Sequence, residues 1–197
     1  VIGGAPFQAA LTAAAPGGRV LLRDNLVYGF TPVLQAAAPT AAGGGEVVVA
    51  AINGARPVIL AGGAITCDIG PGARLVIDGL VIAGHELVLP AAADNQPREL
   101  VLRHCTLVPG RTLLADGAPA QPGVASLRIE HPFARVVLED CIVGMRADGA
   151  DAEVTARGCI VDANAADAVA FEGLAAARPG AALVLEQCTV VGKVATR

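Results

Sequence analysis

The chain has 197 residues, of which 54% are hydrophobic and 16% charged, with a formal net charge of −4. This much apolar side chain excludes a disordered chain, and the sparse, slightly acidic charge argues against a phosphate-binding surface, so no nucleic-acid partner is expected. Aromatics are only 3%, so any core must be built from Val, Leu, Ile and Ala, and 24 Gly with 13 Pro favour many short elements over a helical bundle.

In chain order, the first predicted element is a short helix over Phe7–Ala15, with Phe7, Ala10, Leu11 and Ala14 on one face and Pro16-Gly17-Gly18 as its stop. Strands are predicted at Arg19–Leu22, Glu46–Ala50, Pro57–Leu60 and Ile65–Ile69. From there the chain repeats. Leu75–Ile82, Leu100–Leu107, Val136–Val143, Val154–Val161 and Leu183–Val190 align without gaps as apolar, x, apolar, x, x, Cys or Leu, x, apolar. Their sixth positions lie 25, 36, 18 and 29 residues apart.

The pattern has a physical reading. Alternate side chains share a face of a strand, and the extra residue shifts the phase by one, so each segment is two short strands meeting at a bend. A fixed pattern at variable spacing suits a solenoid whose coils carry loops of different size. The inward columns are then Leu75/Leu100/Val136/Val154/Leu183, Ile77/Leu102/Leu138/Ala156/Leu185, Leu80/Cys105/Cys141/Cys159/Cys188 and Ile82/Leu107/Val143/Val161/Val190. A third strand per coil is predicted at Leu87–Leu89, Thr112–Leu114 and Val169–Phe171, with another strand at Ser126–Glu130 inside the widest interval.

The opening Phe7–Leu22, the stretch Asn53–Val58 and coils such as Leu75–Ile82 resemble the pectate-lyase-like right-handed parallel β-helix superfamily. The resemblance covers nearly the whole chain. It implies an all-β fold, a single-stranded right-handed parallel β-helix with a short N-terminal capping helix. Residues 1–197 then form one domain, with the cap over about 1–18 and the coils over about 19–197. The superfamily holds polysaccharide lyases and hydrolases alongside noncatalytic shafts and adhesins, so it leaves function open.

The candidate chemistry is thin. Cys105, Cys141, Cys159 and Cys188 recur where the first repeat has Leu80, which reads as a column of buried free thiols rather than a metal centre. The outward column Asp78, Arg103, Glu139, Arg157, Glu186 alternates in sign, as a lateral charge ladder does and a catalytic carboxylate cluster does not. The next position pairs His104 with Asp140, the one acid/base-capable pair in the repeat. Asp148, Asp151 and Asp162 lie near one another in sequence and are the candidate oxygen ligands for a metal, although Asp is common in turns for backbone reasons. The other histidines, His85 and His131, sit in loop-like contexts. Two outward strips, Val76/Val101/Val137/Thr155/Val184 and Val81/Thr106/Ile142/Ile160/Thr189, suit either strand propensity or a contact surface.

No apolar run reaches the ~18–20 residues of a membrane span. All basic residues but Lys193 are arginine, and with abundant Ala this fits a GC-rich bacterial genome. The chain has no initiator Met and stops at Arg197 after a strand-like segment, as a piece of a longer protein would. The expectation is a noncatalytic structural or interaction module of a larger bacterial protein or assembly, without a cofactor. Its partners would be the rest of that chain or other subunits, with self-association through an open C-terminal coil. The alternatives are a carbohydrate-active lyase or hydrolase, or a degenerate carbohydrate-binding module.

Overall fold

The computed structural model describes residues 4–41, 43–147, 151–175 and 178–196. Helix α1 (Ala5–Ala14) opens the chain, with Pro near its first turn. Gly17, at φ 139°, then turns the chain into the first strand. The rest winds through seven coils of three strands. These are β1 (Gly18–Leu22), β2 (Val27–Tyr28) and β3 (Val33–Ala36); β4 (Glu46–Ala51), β5 (Val58–Leu60) and β6 (Ile65–Ile69); β7 (Arg74–Asp78), β8 (Val81–Ala83) and β9 (Leu87–Leu89). Then come β10 (Arg98–Arg103), β11 (Thr106–Leu107) and β12 (Leu127–Ile129); β13 (Ala134–Glu139), β14 (Ile142–Val143) and β15 (Met145–Ala147); β16 (Glu153–Arg157), β17 (Ile160–Asp162) and β18 (Val169–Glu172); and β19 (Ala182–Glu186), β20 (Thr189–Val191) and β21 (Lys193–Val194).

Every third strand stacks on its equivalent, giving three parallel sheets of seven strands. The first sheet is β1-β4-β7-β10-β13-β16-β19, the second begins with β2 and the third with β3. The fold is a parallel β-helix with an N-terminal helix. The repeat alignment is the observed register: Leu75, Leu100, Val136, Val154 and Leu183 are successive partners, as are Ile77, Leu102, Leu138, Ala156 and Leu185. Apart from Leu185, which the last coil leaves exposed, these columns fill a single core closed at one end by Phe7, Leu11 and Ala14 of α1. Ala10 is exposed instead, because the helix packs through a narrower stripe than its apolar face allows.

The bend residue has a backbone cause. Gly79, His104, Asp140, Gly158 and Gln187 all adopt positive φ, from 49° to 76°. This left-handed residue breaks the alternation and returns the apolar set to the interior. Its N–H still bonds along the stack: Gly79 to Arg103 O, His104 to Glu139 O and Asp140 to Arg157 O, each at 2.9 Å, and Gly158 to Glu186 O at 3.0 Å.

Two expectations differ. Thr112–Leu114 is not a strand of the stack. It lies in a 19-residue excursion between β11 and β12, folded on itself by the Leu113–Pro119 bridge, and Leu127–Ile129 takes the third-sheet position. The outward valine strip is also not a uniformly open surface. Val76 and Val101 point away from the core cluster yet are 5% and 0% exposed, whereas Val184 in the same column is 51% exposed. Along their strands the covered pair lies between the residues of the Arg74–Glu99 and Arg103–Glu139 ion pairs.

Candidate functional site

The corner between the first and second sheets carries the acid/base candidates. The left-handed bend lifts His104 and Asp140 out of the strand alternation and sets His104 at the mouth of an open cleft of about 390 Å³. The turn Ala51–Arg56, with Asp78, Gly79 and His104, lines it. His104 Nδ1 lies 2.8 Å from Asp78 Oδ1, close enough to donate a hydrogen bond. Its Nε2 lies 3.8 Å from Asp140 Oδ2, an ion-pair separation rather than a hydrogen bond. Asp140 needs a neighbour without a side chain: a Cβ on Gly158 would come within 2.3 Å of its Oδ1. Arg56 braces the corner from the preceding turn, donating from Nη1 to His104 O at 2.8 Å.

The structure thus brings His104 and Asp140 together and adds Asp78, which makes the shorter contact. A carboxylate on Nδ1 fixes the tautomer that leaves Nε2 free to accept a proton. The site is open to solvent, with His104 about half exposed, and an imidazole there is worth only the modest catalysis of one oriented base.

Of the metal candidates, Asp148 lies outside the described residues. Asp151 and Asp162 sit on different corners: Asp151 is exposed just before β16, and Asp162 closes β17, where its Oδ1 accepts the Asn164 N–H at 2.7 Å. That second contact is an Asx turn and accounts for the residue by backbone geometry. Among the described residues no group of three His, Cys, Asp or Glu is placed to hold a metal ion.

The cysteines are free thiols. Cys105, Cys141 and Cys159 are buried, Cys188 is half-buried in the last coil, and Cys67 is buried in a different column. The Cys141 thiol is pushed up to about 12, first by its hydrogen bond with Cys105 and then by burial. Burial alone raises Cys67 far above the ordinary thiol range. Such groups remain protonated and unreactive.

The outward charges of the first sheet pair across strands. Arg74 contacts Glu46 at 3.1 Å and Glu99 at 3.4 Å, Arg103 contacts Glu139 at 2.6 Å, and Arg157 contacts Glu186 at 2.8 Å. Within the alternating column, Arg103–Glu139 and Arg157–Glu186 each join one coil to the next, whereas Asp78 turns to His104.

A polar knot that sequence patterning does not reveal sits at the corner between the third and first sheets. Arg98 is buried, donates from Nε to Ile69 O at 2.6 Å, and meets both carboxylate oxygens of Asp94 at 2.8 Å. That bond holds the Asp94 carboxyl far below the usual carboxylate range. His131, which reads as a loop histidine, is 0% exposed, with Nε2 at 2.9 Å from Arg98 Nη1. The signal was scattered over positions 94, 98 and 131 of two coils, too far apart for local patterning to join.

No helix of the described residues is long and apolar enough to cross a membrane. No protein-family model matches the chain, and no curated protein or solved structure does.

Proposed function

We propose that the chain is a noncatalytic structural and interaction module, a rigid β-helix segment of a larger bacterial protein or assembly. The observation that carries this reading is the charge ladder. Glu46, Glu99, Glu139 and Glu186 on the outer face of the first sheet are engaged by arginines of neighbouring coils, so they brace the stack instead of facing a ligand; Asp78 alone of the alternating column turns to a histidine. Each pair stabilises by roughly 0.2–1 kcal/mol, and together they stiffen the rod. The opening helix and the parallel stack support kinship with the pectate-lyase-like superfamily. Partners would be further coils of the same protein, a second copy or a neighbouring subunit, received on the last coil. There, among the described residues, β19, β20 and β21 pair on one side only, and Val184, Leu185, Val191 and Val194 are exposed. The net charge of −4 disfavours nucleic acid.

One observation favours the enzyme reading: the Asp78–His104 pair opens onto a cleft. A lyase or hydrolase would use His104 as general base oriented by Asp78, with Asp140 beside Nε2. The assay that separates the two follows unsaturated or reducing ends from pectate, alginate and hyaluronan, with and without calcium. The structural reading predicts no turnover. Turnover abolished by His104→Ala, with circular dichroism unchanged, would overturn it in favour of the enzyme.

A further inference from the structure

We infer that the free edge of β1 is a docking strand for an extended, acidic segment of a partner polypeptide, which adds to the first sheet by β-augmentation. This rests on the interaction half of the proposed function and names its surface at the N-terminal end.

In the β1–β4 ladder Leu22 is opposite Ala51, and Ile52 N–H bonds to Leu22 O at 2.9 Å. In a parallel pair, alternate residues turn both their N–H and C=O to the same neighbour. Leu22, Val20 and Gly18 therefore face β4, and Arg19 and Leu21 turn theirs outward. Among the described residues nothing bonds to those outward groups. The cap treats the third sheet differently. There the Gln8 side chain acts as a substitute strand, accepting the Val33 N–H at 3.0 Å and donating to Val33 O at 3.2 Å, and Ala15 O takes the Ala37 N–H at 2.7 Å. Helix α1 thus seals the edge of β3 and leaves that of β1 open.

A cleft of about 400 Å³ lies along the open edge, between Phe7 and Ala10 of the helix and Leu21 of the strand, with Tyr28 at one end. Leu21 is 42% exposed. An edge strand beside a helix, with an apolar pocket between them, is the arrangement that receives an added strand: main-chain bonds supply affinity and alternate side chains supply specificity.

Charge decides the occupant. Arg19 and Arg23 are exposed on either side of Leu21, and among the described residues neither makes an ion pair. Further along the same sheet, arginines of one coil meet carboxylates of the next. A strand that continues the ladder past β1 would carry two carboxylates flanking an apolar residue. Asp24, the nearby acid, is turned to the chain itself, accepting the Tyr28 hydroxyl at 2.7 Å and the Leu26 N–H at 3.1 Å.

The test uses the full chain and a capped, fluorescently labelled peptide with alternating Val and Thr, and Glu two residues before and after a central Leu. Its Lys-for-Glu counterpart is the control. The expected result is anisotropy binding of the acidic peptide, slowed amide exchange at Arg19 and Leu21, and at least a tenfold loss in Arg19→Glu/Arg23→Glu, which gains affinity for the basic peptide. Leu21→Pro, which removes an outward N–H from an edge strand, also abolishes binding while circular dichroism is unchanged. Binding indifferent to charge reversal, or protection confined to β19–β21, overturns the inference. So does exchange at Arg19 and Leu21 that is already slow without peptide, since a segment of this chain or a second copy would then hold the edge. None of these outcomes bears on the turnover assay, so the proposed function can fail or survive separately.

Discussion

At the residue scale, burial rather than direction sets the cost of a substitution. Leu102 and Leu138 are fully buried in the core, and replacing either with Ala should destabilise by about 2–5 kcal/mol. The strand alternation alone puts Val101 outside and makes it cheap. The structure buries it fully, so Val101→Ala should cost about 1–2 kcal/mol, at ~0.8 kcal/mol per buried methylene-sized group. Val184→Ala, in the same column but half exposed, should be near neutral. Urea denaturation of the three variant types gives the order. Asp94 supplies the pH dependence. Its carboxyl is held far below the ordinary value, first by the hydrogen bond with Arg98. A depressed carboxyl contributes stability above its unfolded value, near 3.9, that is lost as pH falls through its folded value. The midpoint of thermal unfolding should therefore drop as pH is lowered below about 4. Asp94→Asn should lower the midpoint at neutral pH and flatten part of that acid slope.

At the element scale, the coil is the unit, and its bend is where sequence and structure agree most closely. One extra residue before Cys or Leu predicted the corner, and the positive φ of His104, Asp140 and Gln187 is its physical form. Register was legible for the same reason: a one-residue slip would turn the core set outward. Strands β2, β3, β15 and β21 were not legible, since two to four residues are too short for alternation to stand out. The acid/base site was half legible. His104 with Asp140 followed from adjacent bends, but the contact to Asp78 crosses from bend to strand, and a column-by-column reading separates the two. Gly158→Ala should destabilise by about 1–2 kcal/mol from the left-handed backbone alone, and the push on Asp140 adds to it. The thiols give a graded outcome. Cys67, Cys105, Cys141 and Cys159 should resist alkylation in the native protein, whereas Cys188, half-buried in the last coil, should label first. Mass spectrometry of timed alkylation reads the order, and early labelling of Cys141 would contradict the inward column.

At the scale of the whole molecule, the two ends of the stack differ. One end is closed over the core by α1, through Phe7, Leu11 and Ala14. At the other, the last strand of each sheet is paired on one side and its apolar residues are partly exposed. An unpaired strand edge with exposed Val and Leu is a template for another strand, and the last coil, which unlike the first has no helix packed over its core among the described residues, is together with the open edge of β1 the physical basis of the interaction module proposed above. Light scattering after size exclusion, over a range of concentrations, tests that most directly. The account predicts concentration-dependent association of the chain, reduced by Val184→Lys and Leu185→Glu with the β-sheet spectrum unchanged. A strictly monomeric chain at high concentration, with slow amide exchange across β19–β21, would contradict it.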